Sequence, residues 1–476
     1  MFKPTVLAAA LAAAFAIPFS AFAADERELS QMREELRQMK QDYEARIQAL
    51  EKRLQAAEAR PASASAPATG AASPAPTAPA ASAAASSPSA RSASNAFNPE
   101  VSLILGGHYA NLSQDPAQYR IQGFIPGGEE IGPGRRSFSL GESELTLRAN
   151  IDPRFAGQLT FALSPENEAS VEEAFFQTRG LSNGLNLKGG RFLSSIGYQN
   201  SQHAHTWDFV DLPLAYQAFL GGQHRPDGVQ LKWLAPTDRF LELGVEASGG
   251  SGFPGSERNK NGIGTAALFA HVGDDLGASS SWQLGMSYLR TRAVDRTYED
   301  SDSAGAAVTN AFSGRSATWI VDGVYKWAPN GNATHTNFKL QGEYFRRKEN
   351  GTLTYDTLAQ SLGTASDVYS SAQSGWYVQG VYQFMPRWRA GLRYDRLRSG
   401  TPDIGLVGSG ALADADFPSL SAFKPSRSSI MLDYSPSEFS RFRLQAARDK
   451  TQPGVTDNQL FLQYIMSLGA HGGHAF

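Results

Sequence analysis

The sequence predicts an all-β protein: a 16-stranded antiparallel transmembrane β-barrel preceded by a short α-helical coiled coil on the periplasmic side. Three observations carry this expectation. From residue 97 onward, segments of about ten residues alternate apolar and polar, the pattern of strands that face lipid on one side and water on the other. The apolar face of those segments opens and closes on Trp, Tyr or Phe, as interfacial girdles do. The connections between them alternate short and long, which is how a barrel with turns on one side of a membrane and loops on the other is written.

The elements follow in order. Residues 1–23 read as a signal peptide: Lys3 is the positive start, an apolar run follows, and Ala21-Phe22-Ala23 fits the small-x-small cleavage pattern. Residues 25–60 are highly charged, with apolar residues at Leu29, Met32, Leu36, Met39, Tyr43, Ile47, Leu50, Leu54 and Ala57. That is a heptad seam with one stutter after Tyr43, and a lone helix cannot bury such a seam, so self-association is expected. Residues 61–96 are almost entirely Ala, Pro and Ser, a linker that cannot form a core. Residues 97–476 form the barrel. No segment after the signal approaches ~20 continuous apolar residues, so no helical span is expected.

Within the barrel the alternation is explicit. In 317–327 Trp319, Val321, Gly323, Tyr325 and Trp327 share one face and Thr318, Asp322 and Lys326 the other. In 387–395 Trp388, Ala390, Leu392 and Tyr394 oppose Arg389, Arg393 and Asp395. In 440–447 Phe442, Leu444 and Ala446 oppose Arg441, Arg443 and Gln445. Sixteen such segments lie between 100–110 and 458–469, among them 281–292, 316–327, 336–346 and 375–384. Short connections carry Pro or Gly, which end strands and set turns, as at Pro153, Pro236, Pro386 and Pro436. The longer ones are 193–226, 292–315, 347–374 and 398–426. An even strand number puts both barrel ends on the side of the coiled coil. The aromatic Phe476, after an amphipathic strand, resembles the assembly signal of outer-membrane barrels.

Composition excludes several classes. The 476 residues include no Cys, so no disulfide or thiolate metal site forms. A formal net charge of −3 lacks the basic footprint of a nucleic-acid binder. No GxSxG, HExxH, P-loop or supported Ser/His/Asp set is present, and the Gly-rich stretches 127–136 and 221–228 precede no helix. No enzymatic activity and no cofactor are expected.

Selectivity in a water-filled barrel arises from charged rings at the constriction. The alternation places Arg148, Lys188, Lys232, Lys339, Arg389, Arg393, Arg441 and Arg443 inward, with Glu242, Asp322, Glu343 and Asp433 as acids among them. The connection 193–226 adds His203, His205 and Asp208, a His-x-His pair with a carboxylate nearby, which are the candidates for a divalent metal.

The stretch 171–199, VEEAFFQTRGLSNGLNLKGGRFLSSIGYQ, resembles the phosphate-selective porin O/P family and its coiled-coil-bearing relatives, the DcaP-like porins. The shared pattern is a strand, a short turn, and a Gly-Arg-Phe strand leading into a long loop. The resemblance implies a homotrimer in the outer membrane, passive diffusion of small hydrophilic solutes, and folding of 193–226 into the pore. The stretch 134–153 is similar to proteins labelled TonB-dependent receptors, which need a plug and a 22-strand barrel. About 380 residues leave no room for both. The expected role is therefore a porin, with a divalent-metal uptake or binding protein as the alternative and a structural tether as a third.

Overall fold

The computed structural model describes residues 99–469, apart from 126, 128–130, 142, 165–167 and 258. The expected signal peptide (1–23), coiled coil (25–60), linker (61–96), and His471, His474 and Phe476 lie outside the described residues.

Sixteen strands close into one antiparallel barrel. They are β1 (Glu100–Leu112), β2 in two pieces (Ser137–Leu140 and Ser143–Asn150), β3 (Phe155–Leu163), β4 (Ala169–Thr178), β5 (Leu185–Arg191), β6 (Asp227–Leu234), β7 (Phe240–Ser248) and β8 (Thr265–Leu276). They continue as β9 (Ser280–Ser301), β10 (Ala307–Trp327), β11 (Asn337–Tyr355), β12 (Ala365–Met385), β13 (Trp388–Arg398), β14 (Ser426–Ser437), β15 (Ser440–Lys450) and β16 (Asp457–Gly469). Each strand pairs with its sequence neighbours, and β1 pairs with β16 from Ser102–Gly469 to Leu112–Gln459, so no edge is left unpaired. Both pieces of β2 pair with β1. A two-residue bridge, Asp403–Ile404, adds to the rim against Tyr369 and Ser370. Among the described residues no helix is long and apolar enough to cross a membrane.

The alternation of the sequence is the alternation of the wall. On β10 Trp319 and Val321 are exposed, while Thr318, Ile320 and Asp322 are buried in the lumen. On β13 Leu392 and Tyr394 face out, and Arg393 and Asp395 face in. Aromatic pairs cross adjacent strands on the outer face: Tyr288 with Trp319, Trp376 with Tyr394, Trp388 with Tyr434, and Phe442 with Tyr464. An outer surface of exposed Leu, Val, Trp and Phe is unstable in water and suited to acyl chains. The short connections and both barrel ends share one end. The turn after β2 is locked by Asp152, whose Oδ1 accepts the N–H groups of Arg154 (2.6 Å) and Phe155 (2.8 Å).

Four strands run further than their sequence pattern indicates. The connections expected at 292–315 and 347–374 are largely strand: β9 reaches Ser301, β10 starts at Ala307, β11 reaches Tyr355 and β12 starts at Ala365. The physical cause is a reversal of polarity. Beyond the register shift between Ala293 and Arg296, Tyr298, Val308, Phe312, Leu353, Tyr355 and Tyr369 point inward and are buried. Outward positions there carry exposed Arg292, Asp295, Glu299, Arg315, Arg346 and Lys348. This part of the wall has an apolar interior and a water-facing exterior.

A loop fills much of the lumen. The connection 192–226 leaves β5 at the long-loop end, turns through Ala204–Thr206, and carries a short helix, α1 (Leu214–Leu220), whose seven residues are all buried. Pro213 precedes α1, and the Leu214 N–H donates to the wall carboxylate Asp395 at 2.9 Å. Gly221 ends the helix at φ 68, a left-handed conformation that glycine adopts without strain. Loop residues Ile196, Leu212, Leu214, Tyr216, Phe219 and Leu220 pack with Leu289, Ile320, Phe345, Tyr377 and Leu397 of the wall.

Candidate functional site: the inward loop and the cavity beside it

Charged wall residues from β11 to β15 hold one side of the loop. Lys339 contacts Asp208 at 2.5 Å, and Arg389 bridges Asp208 (3.1 Å) and Asp433 (2.5 Å). Arg443 binds Asp433 at 2.8 Å and donates to the Trp207 carbonyl at 2.8 Å, where Arg441 also donates at 3.3 Å. Asp211 lies between two buried guanidinium groups, Arg393 at 2.9 Å and Arg427 at 2.7 Å, and accepts from Gln445 at 2.7 Å. Burial alone would raise the Asp208 and Asp211 carboxyls; Lys339 and Arg389 beside the first, and Arg393 and Arg427 beside the second, hold both below the usual carboxylate range.

Glu343 takes the next stretch of loop. Its carboxylate accepts from the Gln199 N–H (2.9 Å), the Tyr216 hydroxyl (2.8 Å) and the Tyr377 hydroxyl (2.6 Å). Gly197 fits against it: a Cβ there would stand 2.4 Å from Glu343 Oε2 and 2.7 Å from the Tyr216 hydroxyl, at φ +68. Asp322 is buried on the neighbouring strand, and neither of its carboxylate oxygens has a hydrogen-bond partner.

On the other side the loop touches the wall through fewer groups, among them the Leu193 N–H on Glu173 (2.9 Å) and the Ser195 N–H on Glu246 (3.0 Å), and leaves open space toward the turns. A cavity of about 450 Å³ lies toward the short-turn end, lined by Arg148, Lys188, Lys232, Glu173, Glu242 and His203 among others. Lys232 pairs with Glu242 at 3.0 Å, and the Lys188 ammonium sits 4.3 Å from the Phe175 ring centroid. A second cavity, of about 800 Å³, lies toward the long-loop end, near Arg191, His224, Arg225 and Arg296. His224 is buried with an unpartnered Nε2, and burial lowers its pKa to about 4.

The twelve charged residues expected to line a pore thus divide. Arg148, Lys188, Lys232 and Glu242 border the cavity. Lys339, Arg389, Arg393, Arg441, Arg443, Asp433 and Glu343 grip the loop, and Asp322 is buried beside them. The three metal candidates also separate. Asp208 is tied to Lys339 and Arg389, whereas His203 and His205 meet the carboxylates of Glu144, Glu172 and Glu173. Burial opposes a charge on His203, but hydrogen bonds to these three acids outweigh it and raise its pKa well above the ordinary value. Sequence reasoning passed over Arg427, whose inward parity on β14 was readable. It also passed over Glu172 and Glu173, which strict alternation cannot place on one face. A register shift opposite Thr160 and Phe161 makes Glu172 the extra residue of a β-bulge, and both acids become buried.

A closed sixteen-strand barrel with an apolar outer belt, an ionic inner face and an inward loop defines the class: a transmembrane β-barrel of the outer-membrane type. The chain belongs to the same family as a protein of Aquifex aeolicus (strain VF5) described as an uncharacterized protein, with 30% identity over 416 residues that cover 81% of each. No family model matches the chain. Solved outer-membrane channels are among its structural neighbours. It is similar to the outer-membrane channel DcaP of Acinetobacter baumannii (TM-score 0.46, 13% identity, 78% of this chain and 97% of that one). It is also similar to OprB of Pseudomonas putida (TM-score 0.46, 14% identity, 78% and 94%) and to an anion-selective porin from Comamonas acidovorans (TM-score 0.45, 11% identity, 78% and 97%).

Proposed function

We propose that this protein is an outer-membrane porin, without enzymatic activity, through which small hydrophilic solutes diffuse passively past the inward loop. The observation that carries the reading is the cavity between the loop and the wall from β2 to β9, where Arg148, Lys188 and Lys232 face water inside a barrel coated with apolar side chains. Three cations from β2, β5 and β6 against Glu173 and Glu242 favour small anions as the solutes that pass most easily. The working unit of this reading is a homotrimer joined through the barrels and the heptad seam of 25–60, with that seam in the periplasm. The filled side of the lumen favours a second reading, a plugged barrel acting as a tether, because Arg347, Arg427 and Arg443 are wholly enclosed.

Planar-bilayer recording separates the two. The porin reading expects discrete conductance steps, and Lys188→Gln with Lys232→Gln should move the reversal potential in a salt gradient toward cation preference. A silent bilayer with correctly folded protein would leave the tether.

A further inference from the structure

We propose that Glu144, Glu172 and His203 hold a divalent transition-metal ion, zinc by donor type, that fastens the inward loop to the barrel wall. The donor atoms of these three residues lie within 4.8 Å of one another. They come from three places: Glu144 from β2, Glu172 from the bulge of β4, and His203 from the loop. His203 Nδ1 is 3.3 Å from Glu144 Oε2 and 3.2 Å from Glu172 Oε2. Ligands of a tetrahedral ion with bonds of about 2.0–2.1 Å stand about 3.3–3.4 Å apart, so the two separations from His203 match those of a coordination shell. They are long for charge-assisted hydrogen bonds, which close to about 2.7–2.9 Å.

Counting donors gives the same answer. The single proton on Nδ1 can only be shared between the two carboxylates, each held weakly, whereas a dication between them binds both in full. Glu172 is 1% exposed, and its Oε1 accepts no hydrogen bond; the Arg225 guanidinium stands 3.9 Å away. Such a carboxylate oxygen, taken out of water without a donor, is costly to keep. Two further groups surround the three ligands. His205 Nδ1 is 2.9 Å from the other oxygen of Glu144, its ring stacked on His203 at 5.7 Å, and Glu173 Oε2 is 3.2 Å from His203 Nε2. A carboxylate behind a ligating imidazole orients the ring and makes it more basic, the usual outer shell of such sites. The mix of imidazole and carboxylate donors without thiolate suits zinc. The inference stands on side-chain geometry and is independent of whether the barrel conducts.

The test uses the full-length protein in detergent, stripped with a chelator. Zinc is titrated by calorimetry, and cobalt(II) is read by its visible ligand-field absorption. The expected result is one ion per chain, with Glu172→Gln and His203→Gln each weakening binding at least ~10-fold. His335→Gln, at an exposed position on the turn between β10 and β11, should leave binding unchanged. Zinc-edge X-ray absorption on wild type should show imidazole nitrogen together with carboxylate oxygen, and it decides the matter if a variant fails to fold. Absence of uptake, a first shell without imidazole, or binding that survives both substitutions would overturn the proposal.

Discussion

Replacing Asp211 by Asn tests how the loop is held, because the change removes one charge and almost no volume. Asp211 is the close counter-ion of Arg427 at 2.7 Å; Asp449 and Asp395 stand at 3.8 and 3.9 Å. Arg393 keeps Asp395 at 3.1 Å. Breaking a buried ion pair from one side costs ~3–5 kcal/mol, and the remaining carboxylates put this case near about 3 kcal/mol. Against it stands the apolar packing of Leu212, Leu214, Tyr216, Phe219 and Leu220, worth together about 10 kcal/mol at ~1.5–3 kcal/mol per buried side chain. The loop therefore stays seated in D211N but opens more often. A difference of about 3 kcal/mol is roughly a 100-fold change in the opening equilibrium. Amide hydrogen exchange of the protein in detergent should show α1 exchanging about 100-fold faster, with β13 and β14 unaltered. Exchange in α1 within threefold of wild type would show that the apolar contacts alone seat the loop and that the arginines do no holding. The sign with pH follows from the same groups. The Asp211 carboxyl is held below its ordinary range, so its contribution is present above about pH 4 and is lost as pH falls through its value in the seated loop.

Other outcomes follow from single contacts. His224 keeps its proton off down to about 4, whereas the released loop takes it near 6.5. Seating should therefore weaken by about 3 kcal/mol as pH falls across that interval and no further below it, and H224Q should flatten the slope in a proteolysis scan. Gly197→Ala forces a Cβ against Glu343 at an αL backbone position; it should cost about 1–3 kcal/mol and speed exchange at Tyr198 and Gln199. Leu392→Arg sets a charge on the lipid-facing side of β13 and should reduce the yield of refolding into vesicles, with a penalty of about 2–4 kcal/mol near the membrane centre. Unchanged folding of that variant would place β13 out of contact with lipid.

The wall was legible wherever one side of a strand meets lipid. Trp319, Val321 and Tyr325 against Thr318 and Asp322 give the facing of β10 directly. The upper halves of β9 to β12 were not legible, because there water replaces lipid outside and packed loops replace water inside. Val308 and Phe312 face inward and Arg315 outward, so a rule of apolar-out reads the segment as a loop. The inward residues were identified by parity, but parity does not say what they touch. Lys188 and Lys232 border a cavity while Arg389 and Arg393, inward-facing on another strand, bind Asp208 and Asp211. That distinction depends on where residues 192–226 travel, and no local pattern encodes it. Glu172 was hidden for a different reason: a one-residue bulge leaves no mark in hydrophobic periodicity.

The unequal strand lengths have a consequence for traffic. β5 and β6 have 7 and 8 residues, whereas β9, β10, β11 and β12 have 22, 21, 19 and 21. At ~3.4 Å per residue the tall staves outreach the low ones by roughly 40 Å of chain. The mouth is a slanted parapet, high along one arc and notched along the other. In the porin reading, solutes that arrive at this mouth meet the notch first, beside the cavity lined by Arg191 and Arg225. The ions gathered by those two guanidinium groups, more than the bulk fluid, then set what a conducting barrel samples.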